Sequence, residues 1–416
     1  SYLFNIDQSQ SSSGRFFSTE YMSGIRDFCG KIDFDFYLNK VHLVKFGLSS
    51  TYHNFFPSEM QTNTFGFINS SIFSNEIKAY DHYIYVEDDF IVSQRLKLNL
   101  GLHFGIFSVQ KKDYFSLQPR ILGRYLINDN WSLKFSYSEM QQNIHLLTNS
   151  SVGLPTDIWV PATNFVPPEK STQATFSINT NIADGLLELS LENYYKTMSN
   201  LITYQEGSSL FDQRTWESSV VQSGQGKAYG MEFLLKKSEG KTTGWIGYTL
   251  SWSNRRFDDI NFGNWYPYKY DRRHDFSFVF NHKINNKLDF SLTWVYCSGN
   301  AVSFPQATYF GPYTSFYNTE INHPGSGVAS SPFGFVQAYE YYGERNSTRM
   351  PSYHRLDLGI NFHKKRKLFQ RTISFSIYNV YNRKNPFFIY LDIDRIKARQ
   401  VSLFPIIPTI TYSFKF

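Results

Sequence analysis

PTITYSFKF, residues 408–416, sets Ile410, Tyr412, Phe414 and Phe416 on one side of an extended chain and Thr409, Thr411, Ser413 and Lys415 on the other. A period of two belongs to a β-strand, whose successive side chains point to opposite faces. One face here suits oil and the other water. The pattern recurs along the chain. Leu96, Leu98, Leu100, Leu102, Phe104 and Ile106 alternate with Lys97, Asn99, Gly101, His103 and Gly105, and Leu187, Leu189 and Leu191 alternate with Glu188, Ser190 and Glu192. Ile32, Phe34, Phe36 and Leu38 alternate with charged neighbours, and Phe290, Leu292 and Trp294, then Leu356, Leu358 and Ile360, then Ile373, Phe375 and Ile377 repeat the theme. Segments of about ten residues with this alternation are the signature of a transmembrane β-barrel.

Alternation alone also fits a soluble sandwich, with one face on a core. The connections discriminate. Tight polar turns (Asn39-Lys40, Ser93-Gln94, Asn128 to Asn130, Ala183 to Gly185, Glu239 to Lys241, Asn285-Asn286) alternate with long segments at Pro57 to Asn75, Thr148 to Lys170, Gln205 to Gln225, Phe257 to Asp271 and Ser298 to Ser352; the connection near Lys111 is brief. Short turns at one rim and long loops at the other are the periplasmic and extracellular ends of an outer-membrane barrel. The expected fold is therefore an all-β, antiparallel up-and-down transmembrane barrel.

Composition agrees. Aromatic residues make up 19% of the 416 residues, with 40 Phe and 30 Tyr, and charged residues only 18%, against about a quarter in soluble proteins. Composition does not shift along the chain, so residues 1–416 read as one barrel domain. No run of apolar residues reaches the ~18 needed for a helical span. The mean hydropathy of −0.38 is uninformative for a barrel, whose polar face cancels its apolar one. A net charge of +6 without an interleaved basic and aromatic tract argues against a nucleic-acid partner. Cys29 and Cys297 lie on distant strands, beyond the ~7 Å reach of a disulfide, and read as unpaired. Residues 1–20 hold no secretory signal pattern.

About fifteen strands are expected from Gly24 to Phe416. If the short turns are periplasmic, the last strand descends, and so does the strand from Gly24 to Leu38. A single-chain barrel has an even strand number, so strands preceding Ser1 are expected. The alternative is that Ser1 to Ile6 is the tail of an ascending strand and the barrel closes at sixteen.

From Gly247 onward, GYTLSWSNRRFDD (Gly247 to Asp259), WYPYKYDRRHDF (Trp265 to Phe276), WVYCSGNAVSFP (Trp294 to Pro305), RMPSYHRLDLGINF (Arg349 to Phe362), FSIYNVYNRKNPFFIY (Phe375 to Tyr390) and the closing SLFPIIPTITYSFKF resemble the barrel of TonB-dependent outer-membrane receptors, in the style found in Bacteroidetes. The resemblance implies a barrel of 22 strands with a plug, of which this chain would be the later two thirds, the plug, first strands and TonB box lying upstream. It also implies that the terminal aromatic is the mark by which the barrel-assembly machinery knows its clients.

Tyr270 to Asp275 (YDRRHD) crowds charges at the outer end of a descending strand. An Asp-His pair suits general-base chemistry, but no serine or cysteine nucleophile accompanies it, and the run is expected to be structural; no catalytic residue and no enzyme activity are expected. The ten histidines show no metal-ligand spacing, and neither metal nor cofactor is expected. Glu188 and Glu192 share the lumen face. Tyr83, Tyr85, Tyr194, Tyr195, Trp131 and Trp245 are expected in the interfacial girdles. Loop aromatics Trp159, Trp216, Trp265, Tyr309, Tyr313 and Tyr317, with Tyr341 and Tyr342, are candidates to stack on a ligand, or else to pack the loops on themselves. The segment Ser298 to Ser352 is too long for a mere connector.

The expected function is TonB-dependent import of a scarce nutrient (siderophore, cobalamin, glycan or peptide). A structural or assembly subunit of a larger outer-membrane complex is the alternative. Expected partners are outer-membrane lipid and lipopolysaccharide, the TonB complex through an upstream part, and a surface lipoprotein lid or other subunits.

Overall fold

In a computed structural model the chain is described except at residues 1, 11–14, 65–66, 74–75, 149–156, 207–215, 313–335, 366–368 and 393–396, with side chains also outside the description at 2–22, 57–75, 308–340 and 391–392. An 18-stranded antiparallel sheet dominates; two of its strands, Phe67–Phe73 and Tyr266–Pro267, are short loop pieces, and the other sixteen form a wall. In chain order these are β1 (Tyr2–Gln10), β2 (Arg15–Tyr37), β3 (His42–Thr64), β4 (Ile77–Ile91), β5 (Leu96–Val109), β6 (Lys112–Leu126), β7 (Trp131–Gln142), β8 (Glu169–Ile182), β9 (Leu187–Tyr204), β10 (Val220–Lys237), β11 (Thr242–Arg256), β12 (His274–Asn285), β13 (Leu288–Cys297), β14 (Tyr353–Lys365), β15 (Gln370–Tyr378) and β16 (Ile407–Lys415).

Each wall strand pairs with its neighbour in sequence, as a meander demands. The expected fifteen becomes sixteen because Tyr2–Gln10 runs antiparallel to the outer part of β2. Closure at sixteen is not found: among the described residues β16 pairs only with β15 and β1 only with β2.

Register carries the two solvents around the wall. Phe34, Phe46, Val86 and Leu102 lie side by side on β2 to β5, and Phe290, Ile360, Phe375 and Ile410 on β13 to β16. One residue along each strand, Asp289, Asn361, Ser374 and Thr411 form the matching polar row, as do Arg120, Ser138, Gln173, Lys196 and Ala228. Leu122 and Leu234 interrupt the polar face. Because side chains alternate with period two, a slip of one residue would turn a strand's polar row outward. The outward apolar residues are uncovered, with Ile84 64% and Phe115 62% exposed, which calls for lipid rather than water against them.

The short-turn rim is built by side chains that imitate a backbone turn. Asn39 Oδ1 accepts from the amides of Val41 and His42, Asn128 Oδ1 from those of Asn130 and Trp131, and Ser93 Oγ from those of Arg95 and Leu96. At the opposite rim the strands outrun the expected boundaries. Pro57, expected to open a loop, lies inside β3 where two residues of that strand face one of β2 between Met22 and Gly24; a bulge tolerates a residue with no N–H.

Buried apolar residues gather at this long-loop rim. Leu147, Ile158, Val160, Val166, Ile202, Tyr204, Trp216 and Val220 make one cluster, Phe55, Ile77, Ala79, Phe107, Val109 and Ala162 a second, and Leu201, Phe257, Ile260 and Tyr266 a third. Among the described residues these clusters join the long loops to the outer ends of the wall strands.

Candidate functional site

The segment between β7 and β8 folds back as a hairpin, Ile144–Leu147 against Ile158–Pro161. Wall side chains hold it. Asn143 Nδ2 donates to Asp81 Oδ2 at 2.9 Å and to the Tyr83 hydroxyl at 3.1 Å, and Tyr114 donates its hydroxyl to the Thr163 carbonyl at 2.6 Å. His145 is fully buried, with Nδ1 3.1 Å from Glu169 Oε1 and Nε2 3.0 Å from the Pro167 carbonyl. The carbonyl can only accept, so Nε2 bears the proton there. The other ring nitrogen faces the Glu169 carboxylate, so both sides of the imidazole are engaged.

The charged run ahead of β12 is the foundation of a second group of loops. Asp271 is 2% exposed; it accepts from the Ser253 amide at 2.6 Å, from Arg273 Nη2 at 3.2 Å and from Arg349 at the base of the 298–352 loop. A buried carboxylate needs this many donors to offset its lost hydration. Tyr270 and Lys269 both donate to Asp157, the latter at 2.8 Å. Burial, then the Asp157 charge, push the Tyr270 phenol above its ordinary value; burial does the same for Tyr266 and Tyr268. Tyr270, Asp271 and Arg273 of the run thus hold loops to the strand junction.

Between these elements lies a cleft of about 370 Å³. Lys269, Tyr270 and Arg272 form one side, Asn300 and Met350 the floor of the 298–352 loop, and Phe387 and Phe388 of the β15–β16 connection the other side. Arg272 Nε donates to Asn300 Oδ1 at 2.8 Å, and among the described residues no carboxylate pairs with Arg272. The cleft is thus aromatic and apolar with one cationic edge, suited to an anionic, partly apolar solute. Nothing in it resembles a nucleophile and base within reach of each other. Cys297, at the foot of the cleft's wall, donates its thiol to Asp275 at 3.0 Å, which favours the protonated, unreactive form.

The loop aromatics proposed from sequence go to separate places. Trp216 is buried in the first apolar cluster, Trp159 is exposed on the inner hairpin, and Trp265 lies outside the wall with Lys227 Nζ 4.3 Å from its ring centre. Tyr309 is on a strand, Pro305–Pro312, that pairs with Val336–Tyr342; its side chain, and Tyr313 and Tyr317 entirely, lie outside the described residues. Of the expected girdle residues, Tyr195 and Trp131 face outward. Tyr83, Tyr85, Tyr194 and Trp245 are on the polar face, where Tyr85 donates to Asp33 at 2.5 Å beside Lys31. Tyr194 and Tyr195 are consecutive and must point opposite ways, so both cannot belong to one girdle. The outward girdle is instead built across strands: Tyr195 on Tyr229, Tyr229 on Trp252 at 5.3 Å, Tyr52 on Tyr80, and Phe276 on Trp294. Asn143, His145 and Asp157 carried no pattern by which sequence could single them out, since Asn143 acts on residues 60 and 62 positions away, His145 on residues 22 and 24 away and Asp157 on residues 112 and 113 away.

The chain matches no curated protein sequence. Among solved structures its backbone is similar to the ferric yersiniabactin uptake receptor FyuA of Yersinia pestis (12% identity, TM-score 0.60, 99% of this chain and 57% of that one) and to the ferric-catecholate import receptor Fiu of E. coli K12 (13%, 0.57, 99% and 59%). It is also similar to the ferripyoverdine receptor of the outer membrane of Pseudomonas aeruginosa (15%, 0.53, 96% and 49%). At such identities the likeness is one of fold, and the chain spans about half the length of the receptors it matches. The model of the family described as TonB dependent receptor-like, beta-barrel, matches residues 1–380. With its polar row inward, its apolar row to lipid and its long loops at one rim, the chain belongs to the TonB-dependent receptor β-barrel family and is an outer-membrane protein.

Proposed function

We propose that this barrel wall serves a TonB-dependent importer of an anionic, partly apolar nutrient chelate, captured at the long-loop rim. The cleft of Lys269, Tyr270, Arg272, Asn300, Met350, Phe387 and Phe388 carries the proposal: it joins a guanidinium with no carboxylate partner among the described residues to aromatic walls, and its parts come from three loops, so a ligand there would couple them. The similar receptors for ferric yersiniabactin, ferric catecholate and ferripyoverdine give the cargo class its precedent, and iron chelates are the first cargoes to try. The loop aromatics Trp159, Trp265, Tyr309, Tyr313 and Tyr317 would extend the contact surface beyond the cleft. The energising partner is the TonB complex, acting through a plug, and a surface lipoprotein over the 298–352 loop is the proposed lid. No chemistry on the cargo is proposed, since Asp271, Arg273 and Arg349 are committed to holding loops.

The test is uptake of labelled ferric chelates by cells carrying the intact gene, with and without TonB. Import that stops without TonB and falls in Arg272→Gln is expected. Import that survives TonB deletion would remove the proposal.

A further inference from the structure

The hairpin strand Ile158–Pro161 joins two parts of the wall that do not pair with each other, β3 to β5 and the side from β9 to β12. On the first side Ala162 shares a cluster with Phe55 of β3, Ala79 of β4 and Phe107 of β5, and Asn143 donates to Asp81 and Tyr83 of β4. On the second, Val160 shares a cluster with Ile202 and Tyr204 of β9. There Asp157, the residue before the hairpin strand, accepts from Lys269 and Tyr270 ahead of β12. The Lys269–Asp157 pair is close and nearly dry: Nζ lies 2.8 Å from Oδ1, and the side chains are 13% and 12% exposed. Lys269 and Tyr270 also line the cleft that the chelate is proposed to enter. Two donors of that cleft are thus already committed to a carboxylate of the chain itself.

A phenol has one O–H to give, so Tyr270 serves Asp157 or a ligand and never both. An ammonium has three, but beside a carboxylate it shows an incoming anion a neutral pair rather than a charge. Arg272, held by the Asn300 side chain, keeps its charge open and is the first contact for an anion. We propose, resting on the import reading above, that Asp157 is an internal stand-in for the anionic group of the cargo. An anionic chelate that reaches Arg272 takes Tyr270 and Lys269 from Asp157 and so unfastens the hairpin from the β12 junction. The hairpin keeps its hold on β4 through Asn143 and on β6 through the Thr163 carbonyl, so the end that comes free is the one facing β12. Linkage makes the effect reciprocal: the factor by which cargo weakens the latch is the factor by which the latch weakens cargo. Asp157 is thereby a specificity residue, since a neutral chelate has no charge with which to compete for its partners.

The experiment uses the receptor expressed from the intact gene and purified in detergent, titrated with ferric tris-catecholate as the anionic probe and ferric tris-acetohydroxamate as the neutral one. Asp157→Asn is expected to bind the catecholate complex about tenfold more tightly, the scale of one charge-assisted hydrogen bond no longer contested, and to leave affinity for the neutral complex unchanged. Asp157→Glu, which restores the charge, should reverse most of the gain. In the unaltered receptor the catecholate complex should raise amide exchange at Ile158, Trp159 and Val160. In Asp157→Asn exchange there should be high before any ligand is added, while equal protection of β14 and β15 in all three proteins shows an intact wall. An equal or weaker affinity of Asp157→Asn for the catecholate complex, an equal gain for the neutral complex, or exchange that falls on binding would each overturn the latch and leave the import proposal standing. Failure of the catecholate complex to bind any of the three proteins would remove the latch together with the chelate reading on which it rests.

Discussion

Arg349 and Asp271, 78 residues apart in sequence, form an ion pair, its carboxylate buried and its guanidinium partly exposed, that fastens the foot of the 298–352 loop to the strand junction ahead of β12. Arg273 shares the same carboxylate. Replacing Asp271 by Asn keeps the shape and removes the charge that two guanidiniums require. Weakening the donors' hold on one buried acceptor, with the guanidiniums partly in solvent, costs about 1–3 kcal/mol. Hydrogen exchange should rise at Ala301–Val302 and Thr348–Arg349, which pair with each other, while β4 to β6 keep their protection.

Adjacent residues of β15 should respond oppositely to the same substitution. Phe375 faces lipid beside Ile360 and Ile410, whereas Ser374 faces the polar side beside Asn361 and Thr411. Phe375→Arg places a charge in hydrocarbon and should cost about 2–4 kcal/mol. Ser374→Arg should stay within about 0.5 kcal/mol. Urea unfolding in lipid vesicles measures both.

Gly224 sits where the Phe257 ring leaves no room: a Cβ there would lie 2.2 Å from the ring. Gly224→Ala should destabilise the third loop cluster by about 1–3 kcal/mol through overpacking. Trimming the ring in the double variant Gly224→Ala/Phe257→Leu should recover part of that loss, and a double-mutant cycle would show it.

Alkali should loosen the loops before the wall. Burial raises the Tyr266 phenol above its ordinary value of 10.0 in the folded chain, so the unfolded form ionises first. The stabilisation is complete below the unfolded value and is lost as pH climbs through the folded one. Tyr266→Phe removes that titration, so its loop should lose less protection than the unaltered chain when pH is taken above about 10, read by amide exchange at Leu201 to Tyr204.

His145 should matter only to its own hairpin. His145→Leu leaves the Pro167 carbonyl without its donor and the partly buried Glu169 without its ring partner, at a cost of about 1–3 kcal/mol. Exchange should increase at Ile158–Pro161 and remain unchanged at β14 and β15.

The wall was legible because two solvents impose one rule on every strand. Leu96 to Ile106 and Pro408 to Phe416 each obey it without help from the rest of the chain. Where the rule lapses, legibility lapses too. Leu201, Ile202, Thr203 and Tyr204 are all buried in succession, past register shifts that follow Met198, because at the rim a strand leaves the bilayer and enters a packed loop. Tyr194 and Tyr195 look alike in sequence and part company in the pleat. The cleft ahead of β12 was hidden for another reason: Lys269, Asn300 and Phe387 come from three loops, and no local spacing connects them. The YDRRHD run could be seen as structural, but its partner Arg349 could not be named, since ion pairing between loops leaves no periodicity.

Fourteen successive pairings hold the polar row in phase from β2 to β16, and the shifts that do occur lie toward one rim or the other, at Met22, Met198, Leu201 and Lys283. Parity therefore governs how such a gene can change length. A single codon gained or lost in mid-strand inverts every side chain between that point and the next turn, while two codons restore the pattern one rung further along. At the long-loop rim any number is harmless to the wall. Divergence among such proteins should accumulate in their loops by insertion and in their strands by substitution, which gives one wall the freedom to carry many different crowns.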